Sequence, residues 1–168
     1  NLQVDQGVGV KGLVLVSPLF DYREFTGSSL LQYVWSLPSM AAVAREAKGA
    51  KEGGEGGVTR ADLADVERYA AGEFLGDLIK GSADAEATTR LADRVAALTG
   101  IDQAVSRRLA GRLGVGEFRR EFDRRNGKVT GRYDASVSGF DPYPDSSFHR
   151  FGDPSGDQKF SFVFSGHH

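Results

Sequence analysis

Apolar positions in this chain follow two different patterns. Near the start, Leu13, Val14, Leu15 and Val16 form an unbroken apolar run bounded by Gly12 and Pro18. A short run of this kind predicts a strand buried on both faces, the sort found inside a parallel sheet covered by helices. No second run like it follows, so its sheet partners are not evident in the sequence. From Ser28 onward the apolar spacing is helical. Leu30, Leu31, Val34 and Trp35 form a short stripe. Pro38 is expected to break that stripe or to open the next helix, because proline fits a first turn. "PSMAAVAREAKG" reads as that helix, ending near Gly49, and residues 48–58 ("KGAKEGGEGGV") read as a flexible glycine-rich loop.

Thr59 and Asp62 have the spacing of a capping pair. The helix after them carries Leu63, Val66, Ala70, Phe74 and Leu78, and Gly81 stops it. Asp84 is placed to cap a helix with the stripe Leu91, Val95 and Leu98, closed by Gly100. Asp102 is placed to cap another with Val105 and Leu109. Phe118 and Phe122 lie one turn apart in a last short piece that ends at Gly127. Short amphipathic helices joined by short turns predict a helical layer resting on another surface. Beyond it, "KVTGRYDASVSGF" reads as extended, the stretch around "DPYPDSSFHRFGDPSGD" as turn-rich, and "KFSFVFS" alternates with the period of a strand.

The expected fold is therefore mainly α, with one core β-strand near the N-terminus and a few short extended segments near the C-terminus. Residues 1–27 form the strand segment, 28–127 the helical region, 128–168 an extended and irregular return, and 158–168 an atypical tail. The 168 residues carry a net charge of −2, and 40% are hydrophobic against 26% charged, the balance of a soluble domain. No stretch is apolar enough to span a bilayer, and no basic segment leads into an apolar one as in an export signal. The first residue is Asn1 rather than methionine, so the natural N-terminus is expected upstream.

Candidate chemistry is sparse. The chain has no cysteine, which removes disulfides, zinc thiolates and a cysteine nucleophile. It has no Gly-x-Ser-x-Gly elbow, and its three histidines, His149, His167 and His168, lie in a turn-rich stretch and at the end. No complete Ser/His/Asp triad is expected, and no spacing matches a calcium loop or a two-histidine zinc helix. Residues 102–132 are rich in arginine: Arg107, Arg108, Arg112, Arg119, Arg120, Arg124, Arg125 and Arg132. Two short helices bearing this charge could form a helix-turn-helix. The plainer reading is that the arginines pair with interleaved acids, and the near-zero net charge argues against nucleic acid as a partner.

The order of features carries a resemblance. "GVGVKGLVLVSPLFDY", "LPSMAAVA", "VERYAAGEFLGDLIKG", "LADRVAALTGID" and "GEFRREFDRRNGKVTGRYDASVSGFDPYPD" together resemble bacterial members of the serine carboxypeptidase family, over about residues 7 to 154. The resemblance implies an α/β hydrolase in which Leu13–Val16 is the strand after the nucleophile's helix, and Leu30 to Arg125 is the helical insertion that caps the active site. It implies that the catalytic serine lies upstream of Asn1 and that the Asp and His lie downstream of Gly152, so this chain is expected to be an internal fragment, inactive alone. The parent enzyme would release C-terminal amino acids from peptide substrates without a metal or organic cofactor. Ser17, Pro18 and Asp21, which end the strand, are implied as pocket lining together with Tyr33 and Trp35. The family is often exported to the periplasm or outside the cell, but nothing in these residues sets a compartment. An isolated strand would leave Val14 and Val16 exposed and open to self-association. Two further readings are a non-enzymatic helical binding module using the Arg-rich segment, and a cap-like protein that docks onto a separate hydrolase chain.

Overall fold

The structure is a computed structural model that describes residues 5–7, 9, 11, 12, 14–16, 18, 23, 28–52, 57–145 and 154. The described part is mainly helical, with one two-stranded sheet. Helix α1 spans Leu31–Lys51. Then comes a continuous run of mixed winding: a 3₁₀ turn Ala61–Leu63, helix α2 Ala64–Tyr69, a π-helical turn Ala70–Phe74 and helix α3 Leu75–Lys80. Helices α4 (Ala85–Thr99), α5 (Gln103–Arg108) and α6 (Val115–Glu121) follow. Strands β1 (Lys128–Thr130) and β2 (Ser138–Phe140) form an antiparallel hairpin in which Val129 faces Gly139.

One apolar cluster joins these helices. Val34, Leu37, Met40 and Ala41 of α1 pack with Val66, Ala70, Phe74 and Leu78, with Leu91 and Val95 of α4, and with Ile101, Leu113 and Phe118. Burying a side chain of this size contributes about 1.5–3 kcal/mol. Val66, Ala70, Phe74 and Leu78 recur at intervals of four residues. In a uniform α-helix of about 3.6 residues per turn, a four-residue repeat drifts about 40° around the axis at each step. The π turn widens the winding over Ala70–Phe74 and absorbs that drift, so all four side chains stay in the core.

The capping residues act as the sequence predicts. The Asp84 carboxylate accepts the Ala87 N–H at 2.9 Å, and Asp102 accepts the Ala104 N–H at 2.8 Å. Asp62 reaches back to the Thr59 N–H at 2.9 Å, the acidic half of a capping box. Gly100 ends α4 in the left-handed conformation at φ 70°. Helix α5 closes on α4 through small residues. The buried Ser106 hydroxyl donates to the Ala92 carbonyl at 2.7 Å. A Cβ on Gly111 would lie 2.3 Å from Leu91 Cδ2 and 3.0 Å from the Leu91 carbonyl carbon.

Two expectations are corrected. Pro38 neither breaks a helix nor opens one: α1 runs unbroken through it and ends at Lys51, two residues beyond Gly49. The proline removes one N–H and strains the preceding turn. Burial of Val34 and Leu37 on one side and of Met40 and Ala41 on the other holds a single buried stripe across it. The second correction concerns the N-terminal strand. Leu13 lies outside the described residues, Val14 and Leu15 have no regular structure, and Val16 sits in a bend. All three are exposed, Val14 by 92% and Val16 by 85%. A strand needs a neighbour for its N–H and C=O groups, and the one sheet among the described residues, β1–β2, does not include this run. "KFSFVFS" and most of the 146–157 stretch also lie outside the described residues.

Candidate functional site

Two clefts concentrate the charged side chains, and they differ in how those charges are satisfied. The first, about 600 Å³, lies between the ends of α5 and α6, the 3₁₀ turn Arg124–Asn126 and Pro144. Glu121 accepts from Arg124 at 3.3 Å and lies 3.9 Å from Arg108. Arg125 meets Asp102 at 3.3 Å, and Arg124 also donates to the Pro144 carbonyl at 2.7 Å. Arg120 pairs with Asp141 at 3.2 Å where both side chains are nearly buried. The Ala104 N–H, then Arg125, hold the Asp102 carboxyl below the usual carboxylate range. Arg107, outside the cleft, meets Asp93 at 3.1 Å. The Arg-rich segment is thus largely engaged in internal ion pairs, and a nucleic-acid phosphate would have to compete with those carboxylates. Among the described residues, no serine, lysine or histidine lines this cleft.

The second cleft, about 950 Å³ and more open, lies beside the π turn. It is lined by Asp65, Arg68, Tyr69, Gly72, Glu73, Asp77, Arg90, Asp93 and Arg94. The helices supply these groups in register: α2 and the π turn bring Asp65, Arg68, Tyr69 and Glu73, and α4 brings Arg90, Asp93 and Arg94. Three of the acids already have cations. Asp65 pairs with Arg45 at 2.9 Å, Asp77 with Lys80 at 2.9 Å and Arg90 at 3.1 Å, and Asp93 with Arg107. Lys80 and then Arg90 lower the Asp77 carboxyl from its ordinary value. The Arg94 guanidinium stands 5.3 Å from the centre of the Tyr69 ring, a cation–π distance. Burial pushes the Tyr69 phenol up to about 12, so it is a neutral donor at ordinary pH.

The sign of that shift makes an expectation. The unfolded chain ionises this phenol near pH 10, so the stability linked to Tyr69 is complete below that pH and is lost as pH rises toward about 12. Thermal melts of Tyr69→Phe should therefore fall less steeply than wild type across that range. Equal slopes would show that the phenol is not held neutral by the fold.

Of the residues implied as pocket lining, the described ones, Pro18, Tyr33 and Trp35, line neither cleft. Ser17 and Asp21 lie outside the described residues, and Pro18 is exposed. On α1, Tyr33 packs against the apolar cluster, whereas Trp35, two positions on, is 57% exposed. Successive positions two apart point to nearly opposite sides of a helix, so α1 does not bring these two rings together. The π-turn cleft was not anticipated from the sequence. Its one advance signal is the strict four-residue repeat from Val66 to Leu78. Among the described residues, no group of three or more His, Cys, Asp or Glu is placed to hold a metal ion. No helix among them is long and apolar enough to cross a membrane. No protein-family model, curated protein or solved structure matches this chain.

Proposed function

We propose that this chain is the helical cap region of a serine carboxypeptidase-like α/β hydrolase, shaping a peptide cleft whose Ser/His/Asp triad is supplied by residues other than these. The resemblance across residues 7 to 154 motivates the reading. The observation that carries it is the apolar surface left uncovered. Helix α1 buries Val34, Leu37, Met40 and Ala41, yet exposes Leu31 and Trp35, one turn apart on another side. Val14, Leu15 and Val16 are exposed as well. A helical layer with apolar groups on two sides is built to lie between its own core and a second surface. In this reading that second surface is the hydrolase sheet, and the Val14–Val16 run joins it as a strand. Without that sheet, the same run offers a self-association surface.

The test is a domain exchange. The cap insertion of a serine carboxypeptidase is replaced by residues 28–145. The folded chimera should label with a fluorophosphonate serine probe and release C-terminal residues from blocked dipeptides, whereas this chain alone should do neither. Labelling of a serine within this chain would overturn the reading. So would a folded chimera that takes the probe but turns over no peptide, because its cleft would then not be shaped for one.

A further inference from the structure

The π-turn cleft holds three hydrogen-bond donors that no acceptor among the described residues satisfies. Arg68 and Arg94 line it, and neither makes an ion pair or hydrogen bond to another described residue. The half-buried Tyr69 hydroxyl makes none either; its ring contacts are with Phe74, at 5.9 Å, and with Arg94. The acids around these donors are already committed. Asp65 belongs to Arg45, Asp77 to Lys80 and Arg90, and Asp93 to Arg107 and the Gln103 amide. The lining holds three arginines against four acids, but Arg45, Lys80 and Arg107 from outside the lining neutralise three of those acids, which leaves Glu73 alone to face Arg68 and Arg94. Gly72 widens it: a Cβ there would meet nothing within 4 Å. The π turn places Gly72 and Glu73 at this rim, and such turns recur at functional positions.

We propose that this cleft binds a small oxyanion, a phosphate monoester or a carboxylate, held by the Arg68 and Arg94 guanidinium groups with the Tyr69 hydroxyl as a third donor. A guanidinium offers paired N–H groups matched to two oxygens of either anion. The Tyr69 ring fixes the Arg94 side chain from one side, which reduces the conformational freedom lost on binding. The arginine-rich cleft near Pro144 lacks this property, because its arginines already face carboxylates. The proposal does not depend on the chain being a hydrolase cap.

Isotope-labelled protein would be titrated with inorganic phosphate and, separately, with succinate at constant ionic strength. Saturable amide shifts confined to residues 68–73 and 90–94 are expected for at least one of them, and the one that saturates identifies the anion class. The double variant Arg68→Ala/Arg94→Ala should weaken binding about tenfold or more, the loss of charge-assisted hydrogen bonds. Arg94→Lys, which keeps the charge but not the fork, should fall between it and wild type. Gly72→Leu should also weaken binding, by filling the cleft, without lowering the melting temperature. Arg60→Ala, outside the cleft, should change nothing. The proposal is overturned if neither anion saturates, if shifts spread equally over residues 108–125, or if the double variant binds as tightly as wild type.

Discussion

Val95 and Val14 are the same residue in opposite circumstances. Val95 is fully buried among Leu91, Phe74 and the α1 stripe, whereas Val14 is 92% exposed. Val14 belongs to an unbroken apolar run, Val95 to the apolar stripe of an amphipathic helix. The difference lies in what the surrounding chain offers them. The helical region supplies partners at matching spacing: α1 lies on α4 and on the π turn, and α5 closes on α4 through Ser106 and Gly111. Val14, Leu15 and Val16 have no sheet partner among the described residues and are exposed. Apolar character drives burial only where a complementary face exists, and close packing, rather than hydrophobicity alone, decides how much stability follows.

The comparison breaks most clearly at its packed end. Phe74 is the largest of the fully buried side chains, and the π turn exists to keep it in the core. Phe74→Ala should cost about 3–5 kcal/mol, read as a lowered urea midpoint. A loss below about 1 kcal/mol would mean that the cluster is loosely packed. Next comes Gly111→Ala. It places a methyl 2.3 Å from Leu91 Cδ2 at a residue with φ 70°. Overpacking and left-handed strain together should cost about 2–4 kcal/mol. A neutral result would show that α5 can move away from α4.

The residue before Gly111 sharpens the same point in the other direction. Ala110 has φ 51°, in the left-handed region, and its N–H donates to the Arg107 carbonyl while the Gly111 N–H donates to the Ser106 carbonyl. That is the Schellman ending of α5, with alanine where glycine is usual. Ala110→Gly should raise stability by about 0.5–1 kcal/mol, because the relieved strain exceeds the added chain entropy. A destabilised variant would show that the Ala110 methyl contributes more through packing than the strain costs.

Much of the helical layer could be read from the sequence because its signals are local. Asp84 and Asp102 cap helices because a carboxylate one residue before a helix meets free N–H groups whatever the rest of the chain does. Gly100 and Gly127 end segments because they adopt positive φ at little cost. Pro38 was misjudged because its local preference is outweighed by a stripe that is buried on both sides of it. The strand was misjudged for the opposite reason: strand formation is decided by a neighbour, and a run such as Leu13–Val16 carries no information on whether one is present. The π-turn cleft lay between these cases. The repeat that demands it is visible, but the gathering of Arg68, Tyr69 and Arg94 depends on how α2 and α4 pack. The arginines of 102–132 show the same limit: pairing with acids was the plainer reading, but the partners themselves, Asp141 for Arg120 and Asp102 for Arg125, are set only once α5, α6 and the hairpin are assembled.

The smallest expected effect on stability tests the exposed end of the comparison. Val14→Asp combined with Val16→Asp places two charges where the isolated molecule has solvent, so the urea midpoint should move by no more than about 0.5 kcal/mol equivalent. The same changes would be severe in a buried strand, because an unpaired charge there loses its hydration. A loss above about 2 kcal/mol would therefore show that the run packs against the helical layer in solution. Association separates the remaining possibilities. If the run is a surface that another layer covers, wild-type protein should shift toward dimers with rising concentration, and the double variant should remain monomeric under the same conditions. A wild-type chain that stays monomeric throughout would mean that three exposed apolar residues are too little area to hold two copies together. The covering surface would then have to be larger and shaped to the run, as the edge strand of a sheet is.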